Sequence, residues 1–164
     1  METEDAFYHK SDEFNSSDRL SIGSLIFADN YFVNFSTYQH YGVYIGNNKV
    51  VHFASPEGQE ISFENAIIHE TTLENFLKGR ELQIDNNVEK MFDDEEIVIG
   101  SRSRINEMGY NLFTNNCEHF ARWCVTGENQ SYQIQNLPFR IYNAILFLKE
   151  NQSAILRLLE LFFN

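Results

Sequence analysis

The chain has 164 residues, 43% of them hydrophobic and 15% aromatic, enough for one well-formed core and too few for two. Its 24 acidic and 12 basic residues leave a net charge of −12. That balance excludes broad binding to nucleic acid, where cations must displace counterions from phosphates, and speaks against general adhesion to anionic lipid. Two cysteines, Cys117 and Cys124, cannot build a disulfide framework. On one helix they would stand about 10 Å apart, beyond bridging distance. Two free thiols point to a reducing, cytoplasmic setting.

Residues 1–19 hold six acids and two bases and read as a solvated tail. Their acidic start, with no apolar stretch after it, is not a secretory leader. Residues 22–28 form a short apolar run that predicts a strand. Residues 41–45 and 49–54 are β-rich and flank Gly46-Asn47-Asn48, the pattern of a hairpin. A further strand is predicted at 61–63. Thr71-Thr72-Leu73-Glu74 has capping-box spacing and predicts a short helix ending at Gly79. Residues 82–85 suit a strand.

Helices dominate afterwards. Asp93 to Glu96 place carboxylates where a helix dipole is positive, and Ile97, Ser101, Ile105 and Met108 follow at helical spacing up to Gly109. Asn115 and Asn116 suit an N-cap for a helix through Cys117, Phe120 and Cys124 to Gly127. Pro138 suits the first turn of another. Strands early and helices late predict an α+β domain.

A cysteine in the first turn of a helix meets unpaired amides that favour thiolate, the nucleophilic form. His40 and His52 flank the predicted hairpin and fall roughly opposite one another across it. Together they could form a Cys-His-His site. Spacing alone leaves an ordinary alternative open: a hydrogen-bonded strand histidine and a small core cysteine. A metal site is disfavoured, because Cys117, His119 and Cys124 lack zinc spacing and His119 points about 200° away from Cys117 on a helix. No cofactor is expected.

Two segments carry a resemblance. His40-Tyr-Gly-Val-Tyr-Ile-Gly-Asn-Asn-Lys-Val-Val-His52 and Asn116-Cys117-Glu118-His119-Phe120 resemble the H-box and NCEHF box of the lecithin:retinol acyltransferase-like family, a permuted branch of the NlpC-type, papain-like thiol enzymes. Ile22-Gly-Ser-Leu-Ile is similar to the family's opening strand, with Ser24 in place of its Asp. Leu73 to Gly79 and Ser101 to Asn116 are similar to segments of bacterial members. The resemblance covers about residues 20–135. It implies a permuted papain-like fold, with a small antiparallel sheet packed on the cysteine's helix. It also implies Cys117 as nucleophile, His40 as general base and His52 as the group orienting His40. The implied chemistry is acyl transfer from a phospholipid ester through an acyl-thioester to water, an amine or an alcohol. A peptidase or amidase of NlpC type and a non-catalytic binding protein are the alternatives. His119 reads as structural, Cys124 as packing, and His9 and His69 as surface residues.

From Leu137 the chain turns apolar, interrupted at Lys149 to Gln152. Residues 136–164 read as a C-terminal helical segment. A helix pair capping the core is one reading, and peripheral membrane contact through 137–163 is the other. The oligomeric state is not legible.

Overall fold

The computed structural model describes residues 20–32, 36–56 and 64–138, together with 143, 147, 150 and 151. The tail at 1–19, the strand expected at 61–63 and nearly all of the apolar segment at 137–163 lie outside these residues. Five strands form one sheet: β1 (Leu25–Phe32), β2 (Ser36–Gly46), β3 (Lys49–Ala54), β4 (Ile67–Thr72) and β5 (Gln83–Ile84). Their order is β4-β3-β2-β1-β5, and every pairing is antiparallel. Four helices accompany them: α1 (Leu73–Leu77), α2 (Asp94–Ser103), α3 (Cys117–Thr126) and α4 (Tyr132–Gln135). The fold is α+β, as the order of elements predicts.

Side chains alternate across the sheet and give it two different faces. Tyr41, Val43 and Ile45 of β2 and Val51 and Phe53 of β3 join Ile97 of α2 and Cys117, Phe120, Ala121, Cys124 and Val125 of α3 in one buried cluster. The opposite face carries Ile26, Ala28 and Val50, covered by Phe76 of α1. Burying a side chain such as Phe53, Phe76 or Phe120 contributes roughly 1.5–3 kcal/mol, so each face holds its helix by burial rather than by helix propensity.

The β2–β3 hairpin forms where expected. Asn47 and Asn48 both take positive φ, 51° and 58°, which matches the strand twist of a two-residue turn. The α2 helix starts where the acidic run predicts, but Asp93 is its N-cap rather than part of the first turn and forms a reciprocal capping box with Glu96. It stops at Ser103, well before Gly109. Asn106 donates its N–H to the Ile68 carbonyl at 2.8 Å and the Glu107 carbonyl accepts from Ile68 at 3.0 Å, so the chain leaves the helix to line the edge of β4. Met108 is exposed in consequence. In α1 the cap is Thr72 rather than Thr71, accepting from the Asn75 N–H at 3.1 Å. Strand β4 itself was not expected, because its His69-Glu70-Thr71-Thr72 run is polar on both faces. Among the described residues, no helix is long and apolar enough to cross a membrane.

Candidate active site

Cys117 is the first residue of α3, next to the N-cap Asn116. The Asn116 Oδ1 accepts from the Glu118 and His119 amides, each at 3.0 Å, and its Nδ2 donates to the Leu112 carbonyl at 2.8 Å. His119 completes the cap, its Nδ1 accepting from the Asn116 N–H at 3.3 Å. It is structural, as its direction on the helix indicates. The Cys117 sulfur is 3% exposed and lies 3.9 Å from the carbonyl oxygen of Gln39 on β2. Burial pushes its thiol up to about 11, against the opposing pull of hydrogen bonds from the Tyr41 backbone and the Tyr110 side chain. The group is therefore a thiol at neutral pH in this arrangement. Cys124 is buried in the same cluster, pushed up to about 12 by desolvation, and packs the helix on the sheet.

His40 and His52 are in contact. His40 Nε2 lies 2.8 Å from His52 Nδ1. Phe76 supports both rings: it stacks on His40 at 5.2 Å and meets His52 edge-on at 5.5 Å. Burial lowers His40 to about 3, helped by the charges of Arg80 and Lys78, and lowers His52 well below its ordinary value. Both rings are neutral at pH 7. A third ring joins them. His69 stands directly opposite His52 in the β3–β4 register, with the two Nε2 atoms 3.1 Å apart, and its Nδ1 lies 3.1 Å from the Ile67 carbonyl oxygen. The expectation that His69 is a surface residue is corrected: it is half-buried and locked into the histidine row. Its partner comes from a strand pairing that no local pattern announced.

The structure thus brings His40 and His52 together and adds His69. Among the described residues no hydrogen bond joins Cys117 to either ring. The rings lie against Phe76 of α1, whereas Cys117 belongs to the buried cluster on the α3 side and its sulfur touches the Gln39 carbonyl. Tyr41 itself faces α3, 4% exposed and stacked on Phe27 at 5.2 Å, which is a packing role.

Sequence reasoning also missed how Glu118 anchors this stretch. Its carboxylate is fully buried and accepts from Arg122 Nε at 2.8 Å, Ser131 Oγ at 2.5 Å and the amides of Tyr132 and Gln133 at 3.1 Å. These bonds hold its pKa below the ordinary value despite burial. Gln133, placed by them, grips the backbone of Gln39: its Oε1 accepts from the Gln39 N–H at 2.6 Å and its Nε2 donates to the Gln39 carbonyl at 3.0 Å. The box residue Glu118 was visible, and Arg122 stands at helical i,i+4 spacing from it, but Ser131, Tyr132 and Gln133 lie 13 to 15 residues away and no spacing rule connects them. Among the described residues, no group of three or more His, Cys, Asp or Glu side chains is placed to hold a metal ion.

Residues 20–130, which include all of these side chains but Ser131, Tyr132 and Gln133, match the family model for lecithin retinol acyltransferase. The chain belongs to the lecithin retinol acyltransferase family. It is 30% identical over 113 residues to human phospholipase A and acyltransferase 1, an alignment covering 58% of this chain and 64% of that protein. It is 26% identical over 138 residues to rat lecithin retinol acyltransferase, covering 70% and 60%. To mouse phospholipase A and acyltransferase 5 it is 28% identical over 109 residues, covering 60% and 40%. The chain therefore spans 64% or less of the length of each of these lecithin retinol acyltransferase relatives.

Proposed function

We propose that this chain is a thiol-dependent lipid acyltransferase or phospholipase, with Cys117 as nucleophile, His40 as general base and His52 as the group that orients His40. The observation that carries the reading is the hydrogen-bonded His40–His52 pair one residue along β2 from the Gln39 carbonyl that the Cys117 sulfur touches, within a family of acyltransferases. Relatives named phospholipase A and acyltransferase support a phospholipid ester as the substrate class.

In the proposed reaction, His40 removes the thiol proton and the sulfur attacks the ester carbonyl. The tetrahedral oxyanion is met by the Cys117 N–H, since the neighbouring Glu118 and His119 amides already bind Asn116. Collapse breaks the ester bond, and the lyso-lipid oxygen leaves with the proton from His40. Water, an amine or an alcohol then gives a proton to His40, attacks the thioester and releases Cys117. The cycle requires the Cys117 sulfur to come within hydrogen-bond reach of His40 when substrate binds.

Burial that keeps the Cys117 thiol protonated is the observation favouring a second reading, a binding protein without turnover. One experiment decides between them. The purified chain is incubated with phosphatidylcholine vesicles, with and without an amine acceptor, beside Cys117→Ala. Fatty acid or N-acyl product that falls at least about 100-fold in Cys117→Ala, with an acyl adduct on wild-type Cys117, is the expected result. Absence of product and adduct from the wild type overturns the enzymatic reading.

A further inference from the structure

A neutral imidazole has one N–H and one lone pair, so in a row of touching rings the proton position of one fixes the next. This row has a fixed end. The Ile67 carbonyl can only accept, so the His69 Nδ1 that faces it carries the proton and His69 Nε2 carries a lone pair. His52 Nε2–H then donates to His69 Nε2. His52 Nδ1, left bare, accepts from His40 Nε2–H. The remaining nitrogen, His40 Nδ1, has no proton.

We propose that His69 is a positioning residue: anchored on the Ile67 carbonyl, it sets the tautomers of His52 and His40 so that His40 presents a bare Nδ1 as the base. This rests on the reading of His40 as the general base. The register makes the arrangement specific, because His69 is directly opposite His52, their rings are in contact, and His52 is backed by Phe76. Burial and the nearby charges of Arg80 and Lys78 keep the His40 and His52 rings neutral, which is the condition for directional donation between them. Without an acceptor at position 69, His52 is free to carry its proton on Nδ1. It would then donate to His40 Nε2, and the His40 proton would sit on Nδ1, where it blocks base catalysis.

The test uses the full chain with ¹⁵N-labelled histidine and long-range proton–nitrogen spectra at neutral pH. The expected spectrum shows His69 as the Nδ1–H tautomer and His40 and His52 as Nε2–H tautomers. In His69→Leu, the His40 and His52 signals should move to averaged tautomer positions. Fatty-acid release from phosphatidylcholine vesicles should fall roughly 10–100-fold in kcat, with KM unchanged, the range seen when an outer partner that orients a ring is lost. His69→Gln, whose amide oxygen can accept from His52, should restore kcat to within about threefold of wild type. A wild-type spectrum with His69 as the Nε2–H tautomer overturns the proposal, as does a His69→Leu chain with unchanged His40 tautomer and kcat. If His69→Leu does not fold, the wild-type spectrum and His69→Gln decide. Full release by Cys117→Ala would remove the enzymatic reading instead, and the spectra would still decide the role of His69.

Discussion

Neutral, buried histidines make stability depend on pH in a definite direction. His40 falls from 6.5 to about 3 in the folded chain, and His52 is lowered as well. Between those values the unfolded chain binds protons that the folded chain refuses, so stability rises with pH and is fully present above about 6.5. Acidification from pH 7 to 5 should therefore lower the urea midpoint while still above the range, about 4, in which ordinary carboxylates titrate. His119, also lowered by burial, contributes to the same slope. The double variant His40→Gln/His52→Gln should show a shallower fall over this window. An equal slope would assign the effect to other groups. Cys117 behaves with the opposite sign: its folded value near 11 is raised, so its contribution is complete below about 9 and is lost as pH climbs through 11.

At the scale of elements, β2 is the member on which both halves of the site lean, and Gly42 is its tightest point. A Cβ there would come within 2.7 Å of Val50 Cγ1 and 2.9 Å of Phe76 Cε2. Gly42→Ala should cost about 1–3 kcal/mol through overpacking, measured as a lower thermal midpoint. Because Phe76 also backs the His40 and His52 rings, the loss should be accompanied by a change in their tautomer spectrum. Much of this architecture was legible in the sequence. The turn at Asn47-Asn48, the acidic start of α2 and the Asn116-to-Gly127 helix are local signals, each written within a few residues. Strand β4 was not legible, since its polar run has no period of its own and pairs only because β3 and the 106–107 backbone flank it. With it His69 was hidden. The His40–His52 pair followed from strand spacing, but where it stands relative to Cys117 did not. That depends on how α1 and α3 divide the sheet between them, a tertiary matter that spacing along one chain leaves open.

For the whole molecule, charge is the dominant fact. A net charge of −12 opposes approach to an anionic bilayer. Turnover on phosphatidylcholine vesicles should fall when about a third of the lipid is replaced by phosphatidylserine at low ionic strength, and recover as salt shortens the screening length to about 8 Å. A rate that instead rises with anionic lipid would mean that a local basic surface governs docking. The burial of Cys117 has its own consequence. A dormant thiol kept protonated and shielded from solvent is a poor target for peroxide, glutathione or stray electrophiles. Enclosure within the core thus guards Cys117 against chemical wear for as long as α3 stays packed on the sheet.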